Sequence, residues 1–263
     1  MDKQKYIDKW AIVLGGSSGL GLATALKLVE AGMHICIIHR TRRSMLKPFE
    51  VAVAHMEAHG VKVISYNIDA TNEEKRNTVI TDLKERIGAQ NIKVLVHSIA
   101  RGNLKPLFDL EEQTLSNTDF HITLEAMALS LYDWVAAFAK AKLFTPDTRI
   151  IAFTSEGSSK AWKHYGAVAA AKAALEAIVR GIALEFAAIG IKANCIQAGV
   201  TDTESLRMIP GSTFIKEKTI ERNPYKRLTV AEDVANAAYL LCRDEAAWIN
   251  GTVIPVDGGE HLI

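Results

Sequence analysis

Tyr165 and Lys172 lie seven residues apart in an alanine-rich stretch of helical character. Seven residues is about two turns, so a helix there presents both side chains on one face. A phenol beside an ammonium is acid–base chemistry: the cation favours the ionised phenol and makes the tyrosine a proton donor near neutral pH. Just upstream, Arg149–Gly157 reads as a strand delivering Thr154 and Ser155 at its carboxyl end, where open α/β sheets place ligands. Two readings of these hydroxyls stay open, facing a ligand or capping the turn that follows. Spacing alone does not set the Tyr165/Lys172 pair apart from any other helix; the rest of the chain does.

Gly15-Gly16-Ser17-Ser18-Gly19-Leu20-Gly21 follows one apolar run and opens a segment of helical period. Glycines so spaced allow a tight turn and a close approach of backbone amides to a pyrophosphate, which the positive end of the helix then stabilises. A plain structural turn is the competing reading. The next apolar run ends Ile37-Ile38-His39-Arg40-Thr41-Arg42-Arg43, without the acid that dinucleotide folds place there for the adenosine ribose. Arg40, Arg42 and Arg43 suit a 2′-phosphate instead, because guanidinium forks pair well with phosphate oxygens. A solvated basic helix start is the bland alternative. These residues favour NADP(H), with NAD(H) as the second choice.

Elements able to position such groups are legible along the chain. Apolar runs of β character occur at Trp10–Leu14, Met33–Ile38, Val61–Tyr66, Lys93–His97, Arg149–Phe153, Ile191–Ile196 and Thr252–Val256, seven candidate strands. Helical periods lie between them at Gly19–Ala31, Glu73–Ile87 and Val234–Cys242, the last two preceded by the capping-box patterns Thr71/Glu74 and Thr229/Glu232. Strand–helix alternation predicts an α/β fold, a Rossmann-like doubly wound parallel sheet of seven strands with helices on both faces. No composition shift divides residues 1–263, so one domain is expected. Val200–Arg227 breaks the alternation and reads as a long functional loop, a substrate lid.

Composition narrows the class. The chain has 49% hydrophobic and 23% charged residues, and 31 basic against 30 acidic residues leave a net charge of +1. That balance argues against nucleic acid as a partner. Cys36, Cys195 and Cys242 are odd in number, far apart and embedded in apolar runs, so packed reduced thiols are expected rather than disulfides or a metal site. No apolar run reads as membrane-spanning, and the polar Met1–Lys9 segment lacks a signal-type apolar core. A cytoplasmic location is expected.

Over essentially its whole length the chain resembles the short-chain dehydrogenase/reductase superfamily. The resemblance rests on Gly15-x3-Gly19-x-Gly21, Asp69, Val96-His97-Ser98-Ile99-Ala100, Tyr165 with Lys172, Asn194 through Ala198-Gly199 to Thr203, and Val256-Asp257-Gly258-Gly259. Most members separate tyrosine and lysine by three residues, but here that place is Val168. The six-residue gap, His97-Ser98-Ile99 and the run Ala170–Glu176 are similar to enoyl-acyl carrier protein reductases. Arg101–Pro106 and Thr201–Pro210 look like the NADPH-dependent form first recognised in bacilli. Several positions depart from relatives. Ser155 stands where common enoyl reductases carry a second tyrosine, and Thr154 where ketone reducers carry serine. Phe120–Glu125 lacks the asparagine of ketone reducers, Leu14 replaces a frequent threonine, and Ser18 an arginine often found in NADP users.

The resemblance implies hydride transfer to the β-carbon of a trans-2-enoyl thioester, with Tyr165 as donor to the developing enolate oxygen and Lys172 gripping the nicotinamide ribose. It implies that Gly15, Ser17, Ser18, Gly19, Leu20, Gly21 and Ala100 line the cofactor site, that Thr203 meets the phosphates and that the Thr201 amide meets the carboxamide. Asp69 would accept from the adenine amine, unless it is simply a turn or helix-start acid. Met127, Leu131 and Trp134 read as a packed helix stripe. The lid holds Arg207, Lys216, Lys218, Arg222, Lys226 and Arg227 against Glu204, Glu217 and Glu221, either a face for an acidic acyl carrier protein or solvated charge. Leu206, Met208, Ile209, Phe214 and Ile215 would roof an acyl chain. Relatives are commonly homotetramers. Two other functions fit the same residues: a carbonyl or 3-oxoacyl reductase with Thr154 as the serine substitute, and a catalytically silent NADP-binding regulator.

Overall fold

The computed structural model describes residues 6–263; the first part of the polar N-terminal segment, Met1–Lys5, lies outside the described residues. The predicted runs become β1 (Trp10–Leu14), β2 (His34–His39), β3 (Val63–Asn67), β4 (Ile92–His97), β5 (Phe144–Thr154), β6 (Ile191–Ala198) and β7 (Val253–Val256). They form one parallel sheet in the order β3-β2-β1-β4-β5-β6-β7. Val13 pairs with Ile37 on one side and Val96 on the other, so the direction of winding reverses between β1 and β4. A crevice opens at such a reversal, beyond the carboxyl ends of the strands.

Alternate residues of each strand face opposite layers. Trp10, Ile12 and Leu14 pack with Leu83 of α3 (Glu73–Ile87), Trp134 and Phe138 of α5 (Ser130–Lys140), and Leu175 and Val179 of α6 (Gly166–Glu185). Ala11 and Val13 face the other layer, with Leu28 of α1 (Gly19–Glu30), Met56 of α2 (Leu46–Glu57), and Val234 and Ala238 of α9 (Ala231–Cys242). Doubly covered strands explain why the runs are continuously apolar. The three cysteines are buried free thiols.

Local details differ from expectation where two signals compete. The α3 cap is Asn72, whose side chain accepts from the Lys75 amide, because Thr71 is turned toward Asp69. At α9 the Asp233 carboxylate accepts the Val230 amide, while Thr229 is buried in a bridge with Thr201. Residues 200–227 are not a plain loop: they fold as α7 (Glu204–Arg207) and α8 (Ser212–Arg222). Tyr165 lies at the N-cap of α6 rather than inside the helix.

Asn117–Lys140 forms a continuous helical stretch of 24 residues, α4 (Asn117–Leu124), a π turn (Glu125–Leu129) and α5. Its mean hydropathy of 1.3 makes it long and apolar enough to cross a membrane, contrary to the sequence reading. Half of its apolar window is buried inside the protein, with Leu131, Trp134, Val135 and Phe138 fully covered by the sheet and its neighbours, as in a core helix.

Candidate functional site

A cleft of about 440 Å³ lies over the carboxyl ends of the strands at the reversal point. One end is the glycine cradle. Gly15 has φ +82° and a Cβ there would stand 2.4 Å from the Ser98 carbonyl oxygen, so only glycine lets β1 turn against β4. Gly19 (φ +54°) opens α1, whose N-cap Ser18 makes no side-chain cap and whose first turn has no acid. That leaves a helix N-terminus with amides suited to an anion. A Cβ at Gly21 would sit 2.4 Å from the Gly15 carbonyl oxygen, which makes Gly21 a packing residue, absent from the cleft wall. Thr203 stands beside Gly19 while its hydroxyl caps α7 by accepting the Leu206 amide.

Of the three arginines, Arg40 lines the cleft; Arg42 and Arg43 are exposed around the short turn before α2 and do not line it. Arg40 and Arg101 both donate to Asp69 Oδ2, at 3.0 and 2.9 Å, and Thr71 donates its amide and hydroxyl to Oδ1. Burial pushes the Asp69 carboxyl up, but Thr71 and the two guanidiniums outweigh it and hold it below the usual range. Both carboxylate oxygens therefore already have protein partners. Arg101 reaches in from the loop after β4; its run Arg101–Pro106 carried part of the resemblance, but nothing in the sequence pointed to this contact with Asp69.

At the other end Tyr165 directs its hydroxyl to Ser155 Oγ at 3.5 Å. Ser155 also accepts the Gly157 amide, so it both caps the turn and faces the tyrosine. Thr154 does neither: its hydroxyl donates to Glu176 at 2.6 Å. Gly157 is needed for space, since a Cβ there would meet the Tyr165 ring at 2.5 Å. Burial raises the Tyr165 phenol above its ordinary value, partly offset by Ser155, and keeps it protonated at neutral pH. This differs from the ionised phenol expected beside a cation. Lys172 is buried with Nζ donating to the Phe153 carbonyl at 2.7 Å, and burial brings its ammonium down to about 8. Trp162, with its ring centroid 5.4 Å from that of Tyr165, and Met127 of the π turn complete the apolar wall. Met127 is thus a cleft residue, whereas Leu131 and Trp134 are core. Ala100, Ser17, Leu20 and Thr201 line the cleft as expected.

The 200–227 segment contributes Leu206 and Ile209 to the cleft, while Met208 and Phe214 are exposed. Its basic excess is largely matched within the chain: Arg207 and Lys216 meet Asp202, Lys218 meets Glu221, Arg227 meets Asp233 and Lys226 reaches the Glu221 carbonyl. Arg222 bridges two buried carboxylates at the cleft, Glu156 at 2.8 Å and Glu260 at 2.6 Å. Burial raises both, but Lys160 and Arg222 hold Glu156 below its usual range, whereas burial prevails at Glu260.

A family model described as enoyl-(acyl carrier protein) reductase matches residues 15–261. The chain belongs to this branch of the short-chain dehydrogenase/reductases. These are oxidoreductases. The chain is similar to the NADH enoyl-acyl carrier protein reductase FabI of Bacillus cereus, 32% identical over 195 residues that cover 74% of each chain. It is also similar to the 3-oxoacyl-acyl carrier protein reductase FabG of Pseudomonas aeruginosa, 28% identical over 97% of this chain and 98% of that one. A short-chain dehydrogenase of Burkholderia cenocepacia solved with NADP superposes with a TM-score of 0.82 at 25% identity, covering 97% of this chain and 98% of the other. For a short-chain dehydrogenase/reductase, the glycine cradle with its uncapped helix start fits a dinucleotide pyrophosphate, and Lys172 and Tyr165 stand farther along the same cleft.

Proposed function

We propose that the protein is an NADPH-dependent reductase of the carbon–carbon double bond in trans-2-enoyl thioesters. The observation that carries this reading is the Tyr165 hydroxyl, directed to Ser155 in a cleft walled by Leu104, Met127, Trp162, Val168, Leu206 and Ile209. The family match and the Bacillus relative support it. When bound, the nicotinamide supplies the hydride. Tyr165 donates its hydrogen bond, and then its proton, to the thioester oxygen as negative charge gathers there, and Ser155 orients the phenol. Lys172 holds the ribose hydroxyls, the start of α1 and Thr203 hold the phosphates, and the Thr201 amide meets the carboxamide. Arg40 receives the 2′-phosphate and distinguishes NADPH from NADH. Residues 200–227 act as the lid of a single domain spanning residues 1–263, and the enzyme works as a homotetramer in the cytoplasm on carrier-bound or free thioesters.

The deciding assay follows NADPH oxidation with crotonyl and longer 2-enoyl thioesters beside acetoacetyl thioester and simple ketones. Turnover of the enoyl substrates alone is expected. Turnover of ketones alone moves the reading to carbonyl reduction, which the Ser155–Tyr165 hydroxyl pair and the Pseudomonas relative favour as the second choice. Arg40→Ala should raise the Kd for NADPH about tenfold, the scale of one charged hydrogen bond, while leaving NADH nearly unchanged. Equal losses for both cofactors would take the 2′-phosphate away from Arg40.

A further inference from the structure

Lys172 presents a problem that its own hydrogen bonds do not solve. The residue is 6% exposed, and its ammonium has a neutral partner, the Phe153 carbonyl. A buried cation needs a counter-charge as well as a dipole. Glu176 lies four residues on, one turn along the same face of α6. The adjacent strand-end residue Thr154 clasps that carboxylate at 2.6 Å. Consecutive positions of β5 thus grip the two poles of one helix face, the cation through the Phe153 carbonyl and the anion through the Thr154 hydroxyl.

We propose that Glu176 is a positioning residue, its carboxylate fixed by Thr154 as the counter-charge that keeps the Lys172 ammonium in the cofactor site. The proposal rests on the functional reading above for the role of Lys172, but not for the pairing itself. The groups around Lys172 leave this task to Glu176. His97 of β4 is held neutral by burial, its value brought down to about 3, and burial pushes the Cys195 thiol of β6 up to about 12. Tyr165 is a neutral phenol, and Arg180, one turn beyond Glu176, is exposed and carries the wrong sign. Thr154 is thereby a support for the anion and not a substrate hydroxyl.

The test titrates Lys172 directly in protein carrying 13C-labelled lysine, the signal being assigned by its loss in Lys172→Met. Glu176→Gln is expected to move the Lys172 midpoint downward by about one pH unit or more, and Thr154→Val by less. Thr154→Ser should restore the wild-type value. The pH at which NADPH affinity falls, followed by nicotinamide fluorescence, should shift in parallel. Glu176→Asp and Thr154→Val keep the test decisive if Glu176→Gln fails to fold. An unchanged midpoint in folded variants, with only melting temperature lowered, would overturn the proposal and leave Glu176 a packing residue. Absence of enoyl reduction in the wild type would sink the functional reading, while the titration would still decide the role of Glu176.

Discussion

At the scale of single residues, the proposed chemistry concentrates on one phenol, Tyr165, held in place by a missing side chain. Tyr165→Phe removes the proton donor and little else, so NADPH binding should persist while kcat falls by about 100-fold to 10,000-fold, the usual range for a general acid. Fluorescence titration and steady-state rates check this; an unaffected rate would remove the phenol from the mechanism. Gly157→Ala is the subtler case. Its Cβ would press on the ring at 2.5 Å, displacing the tyrosine without touching the phosphate end of the cleft. The expected result is a lower kcat with an unchanged Kd for NADPH. The glycine cradle was legible because its function needs fixed residue types at fixed spacing, and the Tyr165/Lys172 pair only through the resemblance of the chain as a whole. Gly157, Arg101 and Glu176 lie in segments the sequence marks out, but their contacts with Tyr165, Asp69 and Thr154 were not legible, since each of those partners belongs to another part of the fold. Thr154 was legible as a hydroxyl at the strand end, but which way it pointed depended on a helix residue 22 positions away.

At the scale of elements, the strands followed from apolar runs because both faces of the sheet are covered. Helix α8 did not, because its sequence Ser212–Arg222 is mostly polar with Thr219 its one buried residue, so no apolar stripe marks a helix. The two capping boxes were misplaced by one residue each because Thr71-Asn72 and Thr229-Val230 offer adjacent candidate caps, and contacts with Asp69 and Thr201 settled the register. What secures α8 is Arg222 between Glu156 and Glu260, whose side chains are 9% and 3% exposed. Arg222→Ala would leave two buried carboxylates short of a cation, at a cost of about 3 kcal/mol, the lower part of the range for a broken buried pair. Without the guanidinium both carboxyls titrate higher, so the penalty applies where they must ionise and disappears where they are protonated. Denaturant melts should therefore show the loss at pH 7 and a difference that already shrinks as pH falls toward the free glutamate value of about 4.3, since the raised carboxyls of the variant protonate above it. A penalty independent of pH would mean that packing, not charge, anchors α8.

At the scale of the whole molecule, a second charge cluster lies at the end of the sheet opposite the cleft. The cleft lies beyond the carboxyl ends of the strands, whereas Asp147, early in β5, gathers Lys93 of β4 at 2.5 Å, Lys192 of β6 at 2.9 Å and Arg149 at 3.2 Å. Burial pushes the Asp147 carboxyl up, but these cations prevail and bring it down to about 2. An unfolded aspartate titrates near 3.9, so the unfolded chain binds the proton first as pH drops. The stabilisation is complete above about pH 5 and is lost as pH falls toward 2. Asp147→Asn should consequently lower the Tm at pH 7, where three cations are left facing one another across the central strands, and make little difference near pH 2. Because the cluster bridges β4, β5 and β6 away from Tyr165 and the glycine cradle, kcat and NADPH affinity at 25 °C should match the wild type. Thermal melts across pH beside steady-state rates separate the two effects. Loss of activity in a variant that is still fully folded would mean that strain at this end of the sheet is transmitted through β5 to Phe153 and Thr154, which hold Lys172 and Glu176 at its far end.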